Sequence, residues 1–181
     1  GRYVRLGRTR DDAAGEAFDK AARLLQLGYP GGPVIQDTAT GVKGRLPLPR
    51  AWLPGTYDFS FSGVKTALWH AVHKGNILSD PELVAKAAAG FQDAVIDVLV
   101  GKTIKAAEDY SASCVLVSGG VAANSQLRTT LEATCPVPVL IPPLSLCTDN
   151  AAMIACCSYF TGGPHTPGGP ELDVEPALAL R

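Results

Sequence analysis

The segment Val115-Leu116-Val117-Ser118-Gly119-Gly120-Val121-Ala122-Ala123-Asn124 constrains the fold more than any other part of the chain. A β-branched apolar run ends in two glycines, and a helix-like stretch carrying Leu127 and Leu131 follows. A strand that passes through Gly-Gly into a helix lets a ligand come close to the backbone, because no Cβ stands in the way. It also aims unpaired amides at the helix start, where a phosphate or a polarised carbonyl can bind. Many α/β turns use Gly-Gly simply to reverse direction, so the motif alone leaves both readings open.

The 181 residues are 46 % hydrophobic and 18 % charged, enough apolar surface for a core and too little charge for disorder. A formal net charge of −1 provides no global field towards nucleic acid. Arg2, Arg5, Arg8 and Arg10 crowd the first ten residues, either as a solvated edge or as a phosphate contact. The 5 cysteines form no CxxC pair, and their odd number does not suggest a secreted disulfide framework. Cys114 and Cys156 read as small core hydrophobes. No apolar run reaches the length of a membrane span, and the first residues lack the apolar core of a signal peptide. A soluble cytoplasmic protein in a reducing compartment, without a membrane partner, is therefore expected.

Residues 3–7 read as a short strand. Ala14, Phe18, Ala21 and Leu25 recur at helical spacing, which predicts a helix over 11–27 with Asp11 or Asp12 as its cap and Gly28 at its end. Tyr29-Pro30-Gly31-Gly32-Pro33 reads as a rigid turn, and residues 37–58, rich in Gly and Pro, as a long surface excursion. Further helices are expected from Gly63 to His73 and from Pro81 towards Ala107. A strand at 114–118, a helix at 123–134, a strand at 137–141 and a helix at 151–160 complete an alternating pattern, which argues for the α/β class. Thr148 or Asp149 would cap the last helix, and a Pro- and Gly-rich tail follows over 161–181.

Several groups could carry chemistry. Asp12, Glu16, Asp19 and Arg23 share one helix face, either as a solvated face laced by Glu16–Lys20 and Asp19–Arg23 pairs or with a carboxylate that grips ribose hydroxyls. Asp58-Phe59-Ser60-Phe61-Ser62-Gly63-Val64-Lys65-Thr66 reads as a strand with a Ser helix cap, or as a hydroxyl and lysine surface for a polyanion. His70 and His73 sit three apart without a neighbouring carboxylate or thiol to complete a metal site, and His165 lies in the tail. Asp149 is either a helix cap or one ligand of a metal whose other ligands come from elsewhere.

In order, Asp11-Asp12 through Asp19-Lys20, then Tyr29-Pro30-Gly31-Gly32, then the 58–66 segment, then Ser118-Gly-Gly-Val-Ala-Ala-Asn124, then Cys147-Thr-Asp149-Asn150 resemble the C-terminal half of the bacterial tRNA threonylcarbamoyladenosine transferase family. The resemblance runs from about Tyr3 to Phe160. It implies an actin-like, sugar-kinase-like fold, with residues 1–160 forming most of one lobe; the first strands and the partner lobe would lie outside this chain. It implies transfer of a threonylcarbamoyl group from threonylcarbamoyl-AMP to N6 of the adenosine 3′ of the anticodon in tRNA. By position, Asp19, Gly32 and Asn124 match residues that hold the adenylate, with Gly119 and Gly120 admitting it to the backbone. Asp149 matches a ligand of one divalent metal ion, Fe2+ or Zn2+. The partners implied are tRNA, the N-terminal lobe, a shorter paralogue and a small ATPase.

The chain departs from the family pattern in places. Gln36 stands where many members carry an acid, with Asp37 beside it, and Val174-Glu175-Pro176 lacks the basic residues common before the family's final proline. The paired metal histidines of the family belong to the other lobe, so this chain alone is expected to be inactive. An ATP-dependent carbamoyltransferase or sugar kinase on the same fold, and a non-catalytic partner lobe, are the alternatives.

Overall fold

The structure, a computed structural model, describes residues 2–161. The tail expected over 161–181, with His165 and Val174-Glu175-Pro176, lies outside them apart from Thr161. Helix α1, Ala14–Leu24, forms because Ala17, Phe18, Ala21 and Ala22 recur on one face and are buried there. It begins at Ala13 without a side-chain cap. Asp11 and Asp12, expected to cap it, instead reach across to Phe61 and Lys65. The helix stops before Gly28. Gln26 takes a left-handed φ of 58°, and Leu27 N–H returns to Ala22 O at 2.9 Å, closing the last turn.

Of the turn expected at 29–33, residues 31–33 are instead the first turn of a helix, α2, Gly31–Ala39. Its first turn tolerates Pro33, because those N–H groups have no intrahelical acceptor in any case. The excursion expected over 37–58 begins later, because 37–39 belong to α2; residues 40–61 are irregular and form a strap bound along a later helix rather than a free excursion. Leu46 N–H donates to Lys86 O, Arg45 pairs with Asp93 at 2.9 Å and Arg50 with Asp97 at 2.7 Å. Leu48 of the strap is buried in the main core. The expected strand at 3–7 does not form: Tyr3 and Val4 are exposed, and the segment's ladder contact is a single bridge between Thr9 and Phe59. The Ser cap expected before the next helix is also absent; α3, Ser62–Lys74, starts behind Phe61 with no side-chain cap.

Helix α4, Pro81–Asp109, matches expectation and crosses the whole domain. Pro81 occupies the first helical position, and the Asp80 carboxylate accepts Glu82 N–H at 2.8 Å. Strand β1, Val115–Leu116, runs parallel to β2, Val139–Leu140, with Val115 opposite Val139 and Leu116 opposite Leu140. Helix α5, Ser125–Thr134, makes the crossover between them. The last helix, α6, Ala151–Thr161, is capped by Asn150, whose Oδ1 accepts Met153 N–H at 2.9 Å, and not by Thr148 or Asp149.

The main core lies among α1, α2, α3 and α4, where Phe18 meets Phe91 edge to face at 5.6 Å. A second cluster joins Ile96 and Val100 of α4 to Leu127 and Leu131 of α5, with Val117 and Val139 of the sheet against it. Cys114 and Cys156 are exposed, contrary to expectation: Cys114 lies just before β1, and Cys156 lies on α6, whose residues 151–160 are exposed throughout. Cys147 is the buried thiol. Among the described residues no helix is long and apolar enough to cross a membrane. The architecture is α/β, mostly helical, with a small parallel sheet.

Candidate functional site

The chain leaves β1 through Ser118 into Gly119, whose φ of 93° is a conformation that L side chains rarely adopt. A Cβ at Gly119 or Gly120 would meet nothing within 4 Å, so this stretch of backbone borders open space. A 3₁₀ turn at Gly120–Ala123 then delivers the chain to α5. Asn124 is the cap of that helix: its Oδ1 accepts Leu127 N–H at 3.0 Å, while its Nδ2 donates to Gln92 Oε1 at 2.8 Å. The helix start is thus not a bare row of amides. The exposed backbone belongs to the two glycines before it.

Asp19 sits half-buried on α1, and its Oδ1 accepts Gly31 N–H at 2.8 Å, tying the start of α2 to α1. Gly31 is required here, since a Cβ would collide with the Asp19 backbone. At Gly32, one position on, a Cβ would meet nothing within 4 Å, so this backbone also borders open space. The Asp19–Arg23 pair expected from spacing is replaced by the bond to Gly31. Lys20 does pair with Glu16, at 2.8 Å, and also with Asp12, at 2.6 Å. Asp12 precedes the helix rather than sharing its face. Hydrogen bonds from Lys20 and Lys65 hold the Asp12 carboxyl below its ordinary pKa. Lys65, considered as part of a polyanion surface, is therefore matched to a carboxylate at 2.8 Å.

These parts converge. Helix α1 packs against the Gly120–Ala123 turn, with Gly15 facing Val121. Gln36 of α2 reaches the start of α5, where its Oε1 accepts Ser125 N–H at 2.7 Å. Arg128 of α5 donates to Ala122 O at 2.6 Å, to Pro142 O at 2.6 Å and to Cys147 Sγ at 3.1 Å. That side chain fastens the Gly-Gly turn to the loop that carries Asp149. Asp149 itself is exposed, and among the described residues no group of three His, Cys, Asp or Glu side chains could hold a metal ion. His70 and His73 pack on Trp69, and His73 Nδ1 lies 2.8 Å from Trp69 O.

Sequence reasoning missed Gln92. It is 4 % exposed on the buried face of α4, and a glutamine between Phe91 and Ala94 was the available signal. Gln92 begins a run of side-chain amides. Its Nε2 donates to Gln126 Oε1 at 2.6 Å, and Gln126 Nε2 donates to Asp93 Oδ1 at 2.8 Å.

The α/β domain thus carries two open glycine backbones, a carboxylate and a capped helix start on adjoining elements. The model of the TsaD family, tRNA N6-adenosine threonylcarbamoyltransferase, matches residues 1–156. A protein of that name from Dehalococcoides mccartyi is 54 % identical over 180 residues, covering 99 % of this chain and 54 % of its own length. Namesakes from Thermomicrobium roseum and Halalkalibacterium halodurans are 50 % and 49 % identical, each across 99 % of this chain and 55 % and 54 % of their own lengths. The chain belongs to the tRNA N6-adenosine threonylcarbamoyltransferase family. It spans about half the length of the curated relatives it matches.

Proposed function

We propose that this chain is the adenylate-binding part of an enzyme that transfers threonylcarbamoyl from threonylcarbamoyl-AMP to N6 of the adenosine 3′ of the anticodon in tRNA. The observation that carries the reading is that the open glycine backbones, at Gly32 and at Gly119 and Gly120, lie on elements tied together through Gln36 and Ser125. Asp19 is proposed to take a ribose hydroxyl on its second oxygen, its first being engaged by Gly31. Gly119 and Gly120 admit the phosphate or the carbamoyl carbonyl to the backbone. Asn124 adds a fixed amide at the edge of the same turn.

The family resemblance also implies a divalent iron or zinc with Asp149 as a ligand. The described residues alone do not fit a metal site, since Asp149 has no companion ligands among them. The actin-like, two-lobed architecture, with residues 1–160 as most of one lobe, and an association with a shorter paralogue and a small ATPase belong to the same proposal.

The test is a tRNA-modification assay. The protein is mixed with threonylcarbamoyl-AMP, an unmodified tRNA bearing the target adenosine, and a fragment carrying the first half of a family relative. Nucleoside analysis should show threonylcarbamoyladenosine only when both polypeptides are present. Phosphoryl transfer from ATP to a sugar, or carbamoylation without tRNA, would replace this reading with another enzyme class.

A further inference from the structure

Resting on the adenylate-binding reading of Asn124, we infer that Gln92 is a positioning residue that fixes which way the Asn124 amide faces the ligand. An amide side chain can flip and exchange its donor for its acceptor, so a lone Asn at a site edge has no defined polarity. Here the polarity is set at both ends of a chain. At one end Leu127 N–H can only donate, and it points at Asn124 Oδ1 at 3.0 Å. At the other end the Asp93 carboxylate can only accept, and it receives Gln126 Nε2 at 2.8 Å and Arg45 Nε at 2.9 Å. Between them Gln126 Oε1 accepts from Gln92 at 2.6 Å, and Gln92 Oε1 accepts from Asn124 at 2.8 Å. Flipping any one of the three amides would set donor against donor or acceptor against acceptor. The chain has a single satisfied arrangement.

Burial gives that arrangement its weight. Gln92 is 4 % exposed and Asn124 8 %, so water does not readily replace a broken link. No buried side-chain nitrogen or oxygen among the described residues lacks a partner. With one Nδ2 hydrogen on Gln92 and Oδ1 on Leu127 N–H, Asn124 has a second Nδ2 hydrogen that neither bond uses. The site edge therefore presents a donor, suited to a phosphate, carbonyl or ring-nitrogen acceptor of the adenylate.

The two substitutions Gln92→Leu and Gln92→Glu separate positioning from simple support. Leucine removes the acceptor that holds Asn124. Glutamate keeps that acceptor and breaks the link to Gln126 instead. The purified protein and both variants are titrated with a stable threonylcarbamoyl-adenylate analogue, with thermal unfolding recorded alongside. Gln92→Glu should bind within about threefold of the wild type and Gln92→Leu about tenfold more weakly or worse, both as folded protein. If Gln92 merely supported the fold, burying a charge would make Gln92→Glu the less stable variant and the weaker binder. That order, or equal binding by all three proteins, overturns the inference. Absence of binding by the folded wild type would instead sink the adenylate reading beneath it.

Discussion

Gln36 Oε1 accepts both the backbone N–H of Ser125, at 2.7 Å, and its hydroxyl, at 3.0 Å, across 89 residues of chain. This contact caps α5 from another helix and holds the α1–α2 pair against the Gly-Gly turn. The position that departs from the family's usual acid is therefore occupied with joining two parts of the site. Gln36→Ala should cost about 1 kcal/mol of stability, the usual value of such a bond, in urea denaturation. Gln36→Glu should keep both bonds and place a negative charge at a helix N-terminus, leaving stability equal or higher by about 0.5 kcal/mol.

Asn124→Ala removes a helix cap and leaves Gln92 Oε1 without its donor. Loss of the cap costs about 1 kcal/mol, and the stranded buried acceptor about 1–3 kcal/mol more. The variant should therefore unfold at visibly lower urea concentration, and its ligand binding has meaning only under conditions where circular dichroism shows it folded.

Hydrogen bonds from Lys20 and Lys65 depress the Asp12 carboxyl, and those from Arg10 and the Arg8 amide depress Asp58. A carboxyl with a folded pKa below its unfolded value of 3.8 contributes stability above that value and loses it as pH falls through the folded pKa. The stability these two carboxyls contribute should decline from about pH 4 downward. Asp12→Asn should flatten that decline while lowering stability near neutrality. An unchanged acid profile in Asp12→Asn would contradict the role given to the Asp12 lysine pair.

Thiol exposure gives a direct check on the packing. Cys114 is exposed, whereas Cys147 is 3 % exposed beneath Arg128. A thiol-specific reagent followed by peptide mass mapping should modify Cys114 rapidly and Cys147 only after denaturation. Rapid labelling of Cys147 in the native protein would mean that Arg128 does not fasten the Asp149 loop to the Gly-Gly turn.

Legibility followed the range of the forces involved. Helix α4 could be read because Pro81 and the apolar spacing act locally. Helix α2 was hidden because Gly31, Gly32 and Pro33 carry turn signals, while its stability comes from docking on α1 and from the Asp19 bond. The strap over 40–61 shows no period because backbone groups, arginines and irregularly spaced apolar anchors such as Leu48 and Phe61 hold it. The glycines and Asn124 of the site were legible as a motif. Gln92 and Gln126 were not, since amides separated by 34 residues meet only once α4 and α5 pack.

The most direct measurement is calorimetric titration of a stable threonylcarbamoyl-adenylate analogue into the wild type and into Gly32→Val. A side chain at Gly32 starts in space where the fold puts no atom within 4 Å, so thermal stability should be kept. The account predicts binding by the wild type and a loss of about tenfold or more in Gly32→Val at unchanged melting temperature. Equal affinity in the two folded proteins would contradict it, and would move the adenylate away from the space between α2 and the Gly-Gly turn.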